Sequence, residues 1–395
     1  MSEWKEYKLG ELCTDINYGY TASANNIGGG PKFLRITDIV PQRVDWTAVP
    51  YCEIDVKNSS KYKLEKGDIV IARTGATTGY NYTFNDNVDA VFASYLIRYR
   101  INNSIASPFY IGYLLKSENW KGFVDNIIGG SAQPGANAKM FADFDILLPP
   151  HNIQEITVSI LSSLDEKIDL LHRQNKTLEE LAETLFRQWF VEEADNSWET
   201  KKLDDIISVK GGTTPSTTES SFWDGNIYWT SPRDLTGQTS IFMFDTQRKI
   251  TEKGLLQISS GLLPIGTVLL SSRAPIGYLA ITEIPVAINQ GYIAIICEKV
   301  VSNFYMYLWC KQNMPDIENA GNGSVFQEIS KSVFKDLKVI LPPKKLLLKF
   351  DQIIEPFFAK IKSNSKQIRT LTQLKENLLP KLMSGEIQIL DNYKS

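Results

Sequence analysis

The chain has 395 residues, of which 43% are hydrophobic and 22% are charged, and its formal net charge is −3. This length exceeds one ordinary domain, so at least two are expected, and the slight acidity excludes a generally basic nucleic-acid binder but not binding through one segregated face. No apolar run is long enough to span a bilayer, and the start lacks the apolar core of a signal peptide, so we expect a cytoplasmic protein without membrane contact.

The first 150 residues carry short strand and helix signals, which are typical of a mixed α/β domain. Residues 68–72 (DIVIA) are rich in β-branched side chains and follow a Gly turn, and residues 91–101 form a longer strand-like run. A short helix is expected at 108–117 and a final strand at 143–149. Pro149 and Pro150 follow and end this region, because the residue before a proline is disfavoured in a helix.

A long helix is predicted from Asn152 to Phe190, since no Gly or Pro occurs in between. At ~1.5 Å per residue it would be roughly 57 Å long. Apolar residues recur in steps of four and three, the spacing of a coiled-coil seam. The seam consists of Leu164, Ile168, Leu171, Asn175, Leu178, Ala182, Leu185 and Trp189. A lone helix cannot bury such a stripe, so it needs a partner.

The second half of the chain repeats this order. Strands are expected at 267–272, 286–297 and 336–342, and a short helix at 303–312. A second long helix follows Pro343, with the seam Phe350, Ile354, Phe357, Ile361, Asn364, Ile368, Leu371, Leu378 and Leu382. Pro356 should kink this helix, and Gly385 is expected to form its C-terminal cap.

An internal repeat supports this organisation. Gly130–Pro150 matches Gly323–Pro343 without a gap, and the regions beginning at Trp4 and Trp198 also agree. We therefore predict an α/β (α+β) fold in which two similar domains are joined by two long antiparallel coiled-coil helices, with a pseudo-two-fold repeat. The predicted segments are a globular domain at 1–150, a helix at 151–191, a globular domain at 192–343, a helix at 344–385 and a tail at 386–395.

The two seams predict how the helices face each other. Facing residues of an antiparallel pair have numbers of constant sum, and a sum of 539 sets Asn175 opposite Asn364. The same sum pairs Leu171 with Ile368, Leu178 with Ile361, Ala182 with Phe357, Leu185 with Ile354 and Trp189 with Phe350. Two facing buried amides would fix the helix register, whereas a loose, solvated midpoint would leave both asparagines in water.

Catalytic signatures are missing from the sequence. It contains no phosphate loop, no nuclease-type carboxylates followed by a lysine, and no Asn-Pro-Pro or Asp-Pro-Pro motif of an amino-methyltransferase. Its two histidines, His151 and His172, supply little for acid–base or metal chemistry. The four cysteines form no CxxC pair, so free buried thiols are expected. We expect no catalytic site and no metal site in this chain.

Loops rich in hydrogen-bond donors recur at matching places in the two halves. Arg, Asn, Gln and Thr side chains read base edges, and Gly lets a loop approach a duplex closely. The candidate DNA-binding residues are Arg35, Arg73, Thr74, Thr77, Thr78, Gln133, Asn137, Lys139, Arg233, Arg273, Gln290, Ser324, Gln327 and Lys331. Each loop alone could be an ordinary surface loop, and either Arg73 or Arg273 could lie in a surface ion pair. Because the loops recur at matching places but carry different side chains, they favour recognition of two different half-sites in a DNA target.

The run from Pro149 to Phe190, with LSSLDEKID inside it and FRQWF at its end, together with LLPKLMSGEI near residue 385, resembles the specificity (S) subunit of type I restriction–modification systems. The resemblance covers the whole chain, including the order target-recognition domain, helix, target-recognition domain, helix. It implies a non-catalytic subunit that reads a bipartite double-stranded DNA target, one half per domain.

The same resemblance implies partners. The helix pair would act as a ruler and as the docking site for methyltransferase subunits, of which two are expected, and a restriction/translocase subunit would carry cleavage. S-adenosylmethionine, ATP and magnesium would belong to those subunits, and this chain would hold no cofactor.

Two other classes of function stay open at this stage. The chain could be a coiled-coil scaffold that joins partners without contacting DNA. It could also be the recognition part of a stand-alone methyltransferase or nuclease, although the missing motifs count against this.

Overall fold

The computed structural model describes residues 4–40, 43–129, 135–273, 275–321 and 327–387. The chain divides into two compact units. Unit 1 combines Met1–Lys167 with Leu371–Ser395, and unit 2 is Ile168–Thr370. Both boundaries fall inside the long helices, so each unit contains one globular region and a part of each helix.

The described part of unit 1 contains ten strands and five short helices. Strands β1–β10 are Lys5–Lys8, Cys13–Tyr18, Ala24–Asn25, Lys32–Leu34, Tyr51–Cys52, Ile69–Ala72, Asn81–Thr83, Ala90–Phe92, Leu96–Ile101 and Asp145–Leu148. Helices α1–α5 are Ile36–Ile39, Val56–Tyr62, Pro108–Leu114, Glu118–Ile128 and Ala138–Ala142. The long helix α6, His151–Arg187, begins in this unit and ends in unit 2 with a π-type turn at Gln188–Glu192.

The globular region of unit 2 has the same number of strands among the residues that the structure describes. Strands β11–β20 are Glu199–Lys202, Ser208–Lys210, Trp223–Thr230, Phe242–Met243, Arg248–Ile250, Val268–Ser272, Ile276–Thr282, Ala287–Ile288, Tyr292–Ile296 and Lys338–Leu341. Helices α7–α11 are Leu203–Ile206, Glu252–Leu255, Asn303–Gln312, Met314–Asn319 and Lys331–Asp336. The second long helix, α12, is Lys344–Met383.

The sheets show the internal repeat directly. The main sheet of unit 1 has the order β2-β9-β6-β7, and that of unit 2 has the order β12-β19-β16-β17-β14. In both units a smaller sheet contains one parallel pair, β4 with β8 and β13 with β18. In both, the first strand pairs antiparallel with the last, β1 with β10 and β11 with β20. The predicted mixed fold with an internal repeat is therefore confirmed.

The short helices at 108–117 and 303–312 are present as α3 and α9, and the strands at 68–72 and 267–272 are present as β6 and β16. Residues of β6 and β16 are buried throughout, because these strands lie inside the main sheets. Side-chain caps set several helix starts: Ser117 accepts from Trp120 N, and Ser302 accepts from Tyr305 N.

The prediction of single strands at 91–101 and 286–297 is wrong. Each run is broken into two strands that belong to different sheets, β8 and β9 in unit 1 and β18 and β19 in unit 2. The break occurs because the intervening backbone pairs with the end of another strand and with the segment after β6. In unit 1, Ala93 N donates to Leu34 O at 2.9 Å, and Tyr95 O accepts from Arg73 N at 3.1 Å.

Helix α12 is continuous through Pro356, whose side chain is exposed, so this proline does not end the helix. The helix ends at Met383, and Gly385 has a φ of +73°. A side chain is disfavoured at this φ, and a Cβ on Gly385 would lie 2.8 Å from the Trp4 ring. The predicted glycine cap is confirmed.

The part of α6 in unit 2 has two apolar faces. Beside the half-buried seam residue Trp189, it carries Phe186 and Phe190, which are 2% and 8% exposed. Their rings lie 6.0 and 4.7 Å from the Phe350 ring of α12, and 5.2 and 5.1 Å from the Tyr305 ring of α9. Helix α6 therefore packs simultaneously on α12 and on the globular region of unit 2, which the seam alone did not predict.

The predicted contact between the two asparagines is present. Asn364 Nδ2 donates to Asn175 Oδ1 at 2.9 Å, and Asn364 is completely buried. The rings of Trp189 and Phe350 lie 5.7 Å apart, so a second pair with the predicted sum is also in contact. Asn175 Nδ2 in turn donates to Ser365 Oγ at 3.3 Å, and Ser240 Oγ donates to the same oxygen at 3.2 Å. The amide pair thus extends into a loop of the globular region.

We expect Asn175→Leu and Asn364→Leu each to lower the free energy of unfolding by about 1–3 kcal/mol, because each leaves a buried amide without its partner. The double variant should lose less than the two single losses combined, with a coupling of about 0.5–3 kcal/mol. Chemical denaturation of the four proteins measures this. Asn377→Leu, at an exposed position of α12, is the matched control. Strict additivity would show that the amides do not stabilise each other.

Candidate nucleic-acid interface

Loops from different parts of unit 1 meet at one end of the strands of its main sheet, where β2 and β6 end and β9 begins. Ala136 N donates to Arg73 O at 2.9 Å, Arg73 N donates to Tyr95 O at 3.1 Å, and Ala93 N donates to Leu34 O at 2.9 Å. These backbone bonds bring together loops that are far apart in sequence. We call this set the first loop cluster, and it comprises residues 18–20, 34–38, 73–80, 93–95 and 135–139.

Unit 2 repeats the same backbone bonds. Ile329 N donates to Ser272 O at 3.0 Å, Ser272 N donates to Gly291 O at 2.8 Å, and Asn289 N donates to Thr230 O at 3.0 Å. The corresponding set, the second loop cluster, comprises residues 211–214, 230–235, 272–273, 289–291 and 327–332. The predicted recurrence of the loops therefore has a common backbone framework.

A glycine allows a close chain crossing in each cluster. A Cβ on Gly19 would lie 2.1 Å from Ala93 O, and a Cβ on Gly212 would lie 1.8 Å from Ile288 O. No side chain can occupy either position, so the end of the first strand passes directly against the neighbouring loop. These two glycines are equivalent points in the two units.

Relative to the shared backbone framework, Arg273 lies one residue further along the chain than the position equivalent to Arg73. Arg73 makes the backbone bonds that Ser272 makes in unit 2. Arg273 instead forms an isolated bridge with Glu328, as Thr74 does with Gly135. Successive side chains of an extended chain point to opposite faces. The two arginines therefore lie one residue apart on the shared framework, six residues after Gly67 and seven after Gly266.

The other candidates of the first loop cluster fall into two groups. Arg35 is committed to Asp38, with Nε–Oδ2 and Nη2–Oδ1 distances of 3.0 and 2.9 Å. Thr78 is buried and donates to Gly75 O at 2.7 Å, and Asn137 Oδ1 accepts from Met140 N at 3.0 Å. The side chains of Thr74 and Thr77 are half-buried, Lys139 is exposed, and Gln133 lies outside the described residues.

In the second loop cluster, Arg273 Nη1 lies 3.4 Å from Glu328 Oε2, so the surface ion pair considered as an alternative is present. Gln290 Oε1 accepts from Thr214 Oγ1 at 2.7 Å. Lys331 lies beside Gly211, where a Cβ would be 2.7 Å from Lys331 Cδ. Arg233 and Gln327 are exposed in the same cluster, and Ser324 lies outside the residues that the structure describes.

The predicted site residues did not include the exposed tyrosines of the first loop cluster or the tryptophans next to the second. Tyr18, Tyr80 and Tyr95 are 41%, 42% and 60% exposed in and around the first loop cluster. In unit 2, Trp223 Nε1 donates to Ser216 O at 3.0 Å and Trp229 Nε1 donates to Thr213 O at 3.4 Å, which anchors the Thr-rich loop. The signal available in the sequence was a tyrosine or tryptophan beside each donor-rich loop.

The chemistry of the clusters is that of hydrogen bonding and stacking. Among the described residues, no group of three His, Cys, Asp or Glu side chains is placed to hold a metal ion. Burial raises the pKa of both Cys13 and Cys297 to about 12, so these free cysteines stay protonated thiols at neutral pH. Within the same residues, no helix has the length and apolarity needed to cross a bilayer.

Two homologous units, each with a donor-rich loop cluster on the same backbone framework but with different side chains, define a protein with one candidate recognition surface in each unit. The family model for the type I restriction modification DNA specificity domain matches residues 1–180 and 196–373, so the chain belongs to this family.

Individual relatives agree with the family assignment. The HindI type I restriction enzyme specificity subunit of Haemophilus influenzae is 23% identical, over 98% of this chain and 100% of the relative. The MjaIX specificity subunit of Methanocaldococcus jannaschii is 35% identical, but the match covers 49% of this chain and 45% of that relative. The crystal structure of a type I S subunit from M. genitalium shares the fold, with a TM-score of 0.61 at 15% identity over 96% of both chains.

We expect Gly79→Ala to destabilise the first loop cluster. Gly79 has a φ of +88°, and a Cβ there would lie 2.8 Å from Val124 Cγ2, so the free energy of unfolding should fall by about 1–3 kcal/mol or more. Gly122→Ala in α4 is the control, because a Cβ there meets nothing within 4 Å. It should gain about 0.5–1 kcal/mol. Equal stability of the two variants in urea titrations would contradict the expectation.

Proposed function

We propose that this chain is the DNA-specificity subunit of a type I restriction–modification complex and that each loop cluster reads one half of a bipartite double-stranded target. The observation that carries this proposal is the shared backbone framework with different side chains. Three equivalent backbone bonds hold each cluster together, while the residues mounted on them differ between the units. A scaffold of this kind suits the reading of two unlike base sequences.

The exposed side chains suit contacts with a duplex. Lys139 and Arg233 offer charge for phosphates, and Gln290 offers an amide of the kind that pairs with adenine. Arg35 is a positioning group in this scheme, because its guanidinium is committed to Asp38 and its backbone N–H also donates to that carboxylate at 2.8 Å. The overall charge of −3 then requires the positive contacts to be local.

The catalytic steps belong to partner subunits in this proposal. The relatives are named as specificity subunits of restriction enzymes, which supports a non-catalytic role in a cytoplasmic complex. Methyltransferase subunits, two of them, would dock on α6 and α12, and a restriction/translocase subunit would join them. S-adenosylmethionine, ATP and magnesium would be bound by those subunits.

Selection from a random duplex library tests the proposal. The full-length chain, alone and assembled with methyltransferase subunits, is used to enrich bound duplexes, and methylation mapping on the same DNA locates the modified bases. We expect two unlike half-sites separated by unread bases. Enrichment of no sequence would favour a scaffold, and a single continuous motif would contradict one half-site per unit. Binding of S-adenosylmethionine by the isolated chain would favour a stand-alone methyltransferase.

Lys139→Ala tests the phosphate contacts. We expect weaker binding across all sequences and a decrease of about one in the slope of log affinity against log salt, because one phosphate contact releases about one counterion. Lys121→Ala is the matched control, since Lys121 is an exposed lysine on α4 that pairs with Glu118 outside the cluster. An unchanged slope for Lys139→Ala would show that this side chain does not contact phosphate.

A further inference from the structure

Arg73 is held by an aromatic ring instead of a carboxylate. Its guanidinium carbon lies 5.0 Å from the centroid of the Tyr18 ring, a distance at which a cation is attracted to a ring face. The Nε atom of Arg73 is enclosed and has no hydrogen-bond acceptor among the described residues. The side chain is thus positioned by the ring, and no carboxylate among the described residues forms an ion pair with its guanidinium.

Tyr18 is itself fixed at both ends. Its backbone ends strand β2, where it pairs with Ile97 of β9, and the next residue is the closely packed Gly19. At the other end, the Tyr18 hydroxyl oxygen accepts a hydrogen bond from Ala138 N at 3.0 Å. The ring therefore spans from the sheet to the 135–139 loop and forms a rigid platform under Arg73.

Unit 2 contains a different arrangement at the same place. The equivalent crossings at Gly19 and Gly212 put Gly211 in the position of Tyr18, and the space is taken by the end of the Lys331 side chain, with Cδ, Cε and Nζ all within 2.9 Å of a Cβ on Gly211. Arg273 lies one residue further along the chain than the equivalent of Arg73. Its guanidinium is 3.4 Å from the Glu328 carboxylate, which occupies donors and offsets the charge.

We propose that Tyr18 is a positioning residue for Arg73, and that the stacked pair reads a guanine in the first half-site while Arg273 makes no equivalent base contact in the second. This inference rests on the proposed function. Guanine presents two acceptors, O6 and N7, that match the fork of a guanidinium. Contact with the Tyr18 ring holds the guanidinium in place without using its N–H donors.

The test uses the full-length chain, alone and with methyltransferase subunits, in duplex selections that report base preference at each position. Arg73→Ala and Arg73→Lys should each lower the preference for guanine at one position by roughly 5- to 150-fold, because lysine keeps the charge but lacks the fork. Tyr18→Ala should lower the same preference by roughly 5-fold or more. Tyr18→Phe should retain it, because the ring stays in place.

Two controls separate positioning from general damage. Tyr51→Ala removes the ring of another cation–aromatic pair, in which Lys32 Nζ lies 3.9 Å from the ring centroid outside the loop clusters, and it should leave base preference unchanged. Arg273→Ala should leave the preferences of the second half-site unchanged. The double variant Tyr18→Ala with Arg73→Ala should lose no more preference than Arg73→Ala alone, since Tyr18 acts through Arg73.

The outcomes separate a failure of the proposed function from a failure of the Tyr18–Arg73 inference. A wild-type chain that enriches no sequence overturns the proposed function. A wild-type chain that selects a bipartite sequence, with guanine preference intact in Arg73→Ala and Arg73→Lys, overturns this inference alone, whether or not Tyr18→Ala folds. Additive losses in the double variant, or loss of second half-site preference in Arg273→Ala, would also overturn it.

Discussion

The placement of the globular region of unit 2 depends on the burial of two apolar faces by helix α6 and its terminal turn. A helix with one apolar stripe could be satisfied by its partner alone, but α6 also carries Phe186 and Phe190, which contact the globular region through Tyr305. Polar contacts reinforce this second face. Tyr307 Oη donates to Glu179 Oε1 at 2.9 Å, and Lys311 Nζ lies 2.8 Å from the same oxygen. Burial, together with the Glu179 charge, raises the pKa of Tyr307, so the phenol stays a donor.

In unit 1, different residues join the globular region to the long helices. Tyr113 Oη donates to Asp165 Oδ2 at 2.8 Å, and Lys375 Nζ lies 2.6 Å from Asp165 Oδ1. Here one carboxylate of α6 joins α3 and α12. In both units, the position of the globular region on its own part of the helices is therefore set by a tyrosine, a lysine and a helix carboxylate.

Much of the architecture could be predicted from the sequence because its signals are local or repetitive. The seam spacing, the cap at Gly385 and the matching of Asn175 with Asn364 depend only on the order of residues along two helices. The break in each long strand could not be predicted, since it depends on strand-end residues such as Leu34 and Thr230 that are distant in sequence. The one-residue shift between Arg73 and Arg273 is countable from Gly67 and Gly266, but its effect on the neighbours of each side chain is seen only when backbone partners are compared.

The candidate site was likewise predictable from the sequence only in part. Composition located the loops, yet it could not distinguish Arg35, which is neutralised by Asp38, from Arg73, which stacks on a ring. Both are arginines in loops that follow a strand. What differs is the neighbour supplied by tertiary structure, and Tyr18 contacts Ala138 across more than a hundred residues of sequence.

The backbone framework of the loop clusters has a consequence for the evolution of new targets. Each cluster is joined by main-chain N–H and C=O groups, and the tight crossings use glycine, so this framework does not depend on the exposed side chains that make no contact within the loops. In the proposed function, substitutions at such positions would change the target of one cluster while the fold and the other cluster stay intact. The price is rigidity at Gly19 and Gly212, where any side chain would clash with a carbonyl oxygen. In the proposed function, changes of DNA target would thus be confined to a small set of exposed loop positions in each unit.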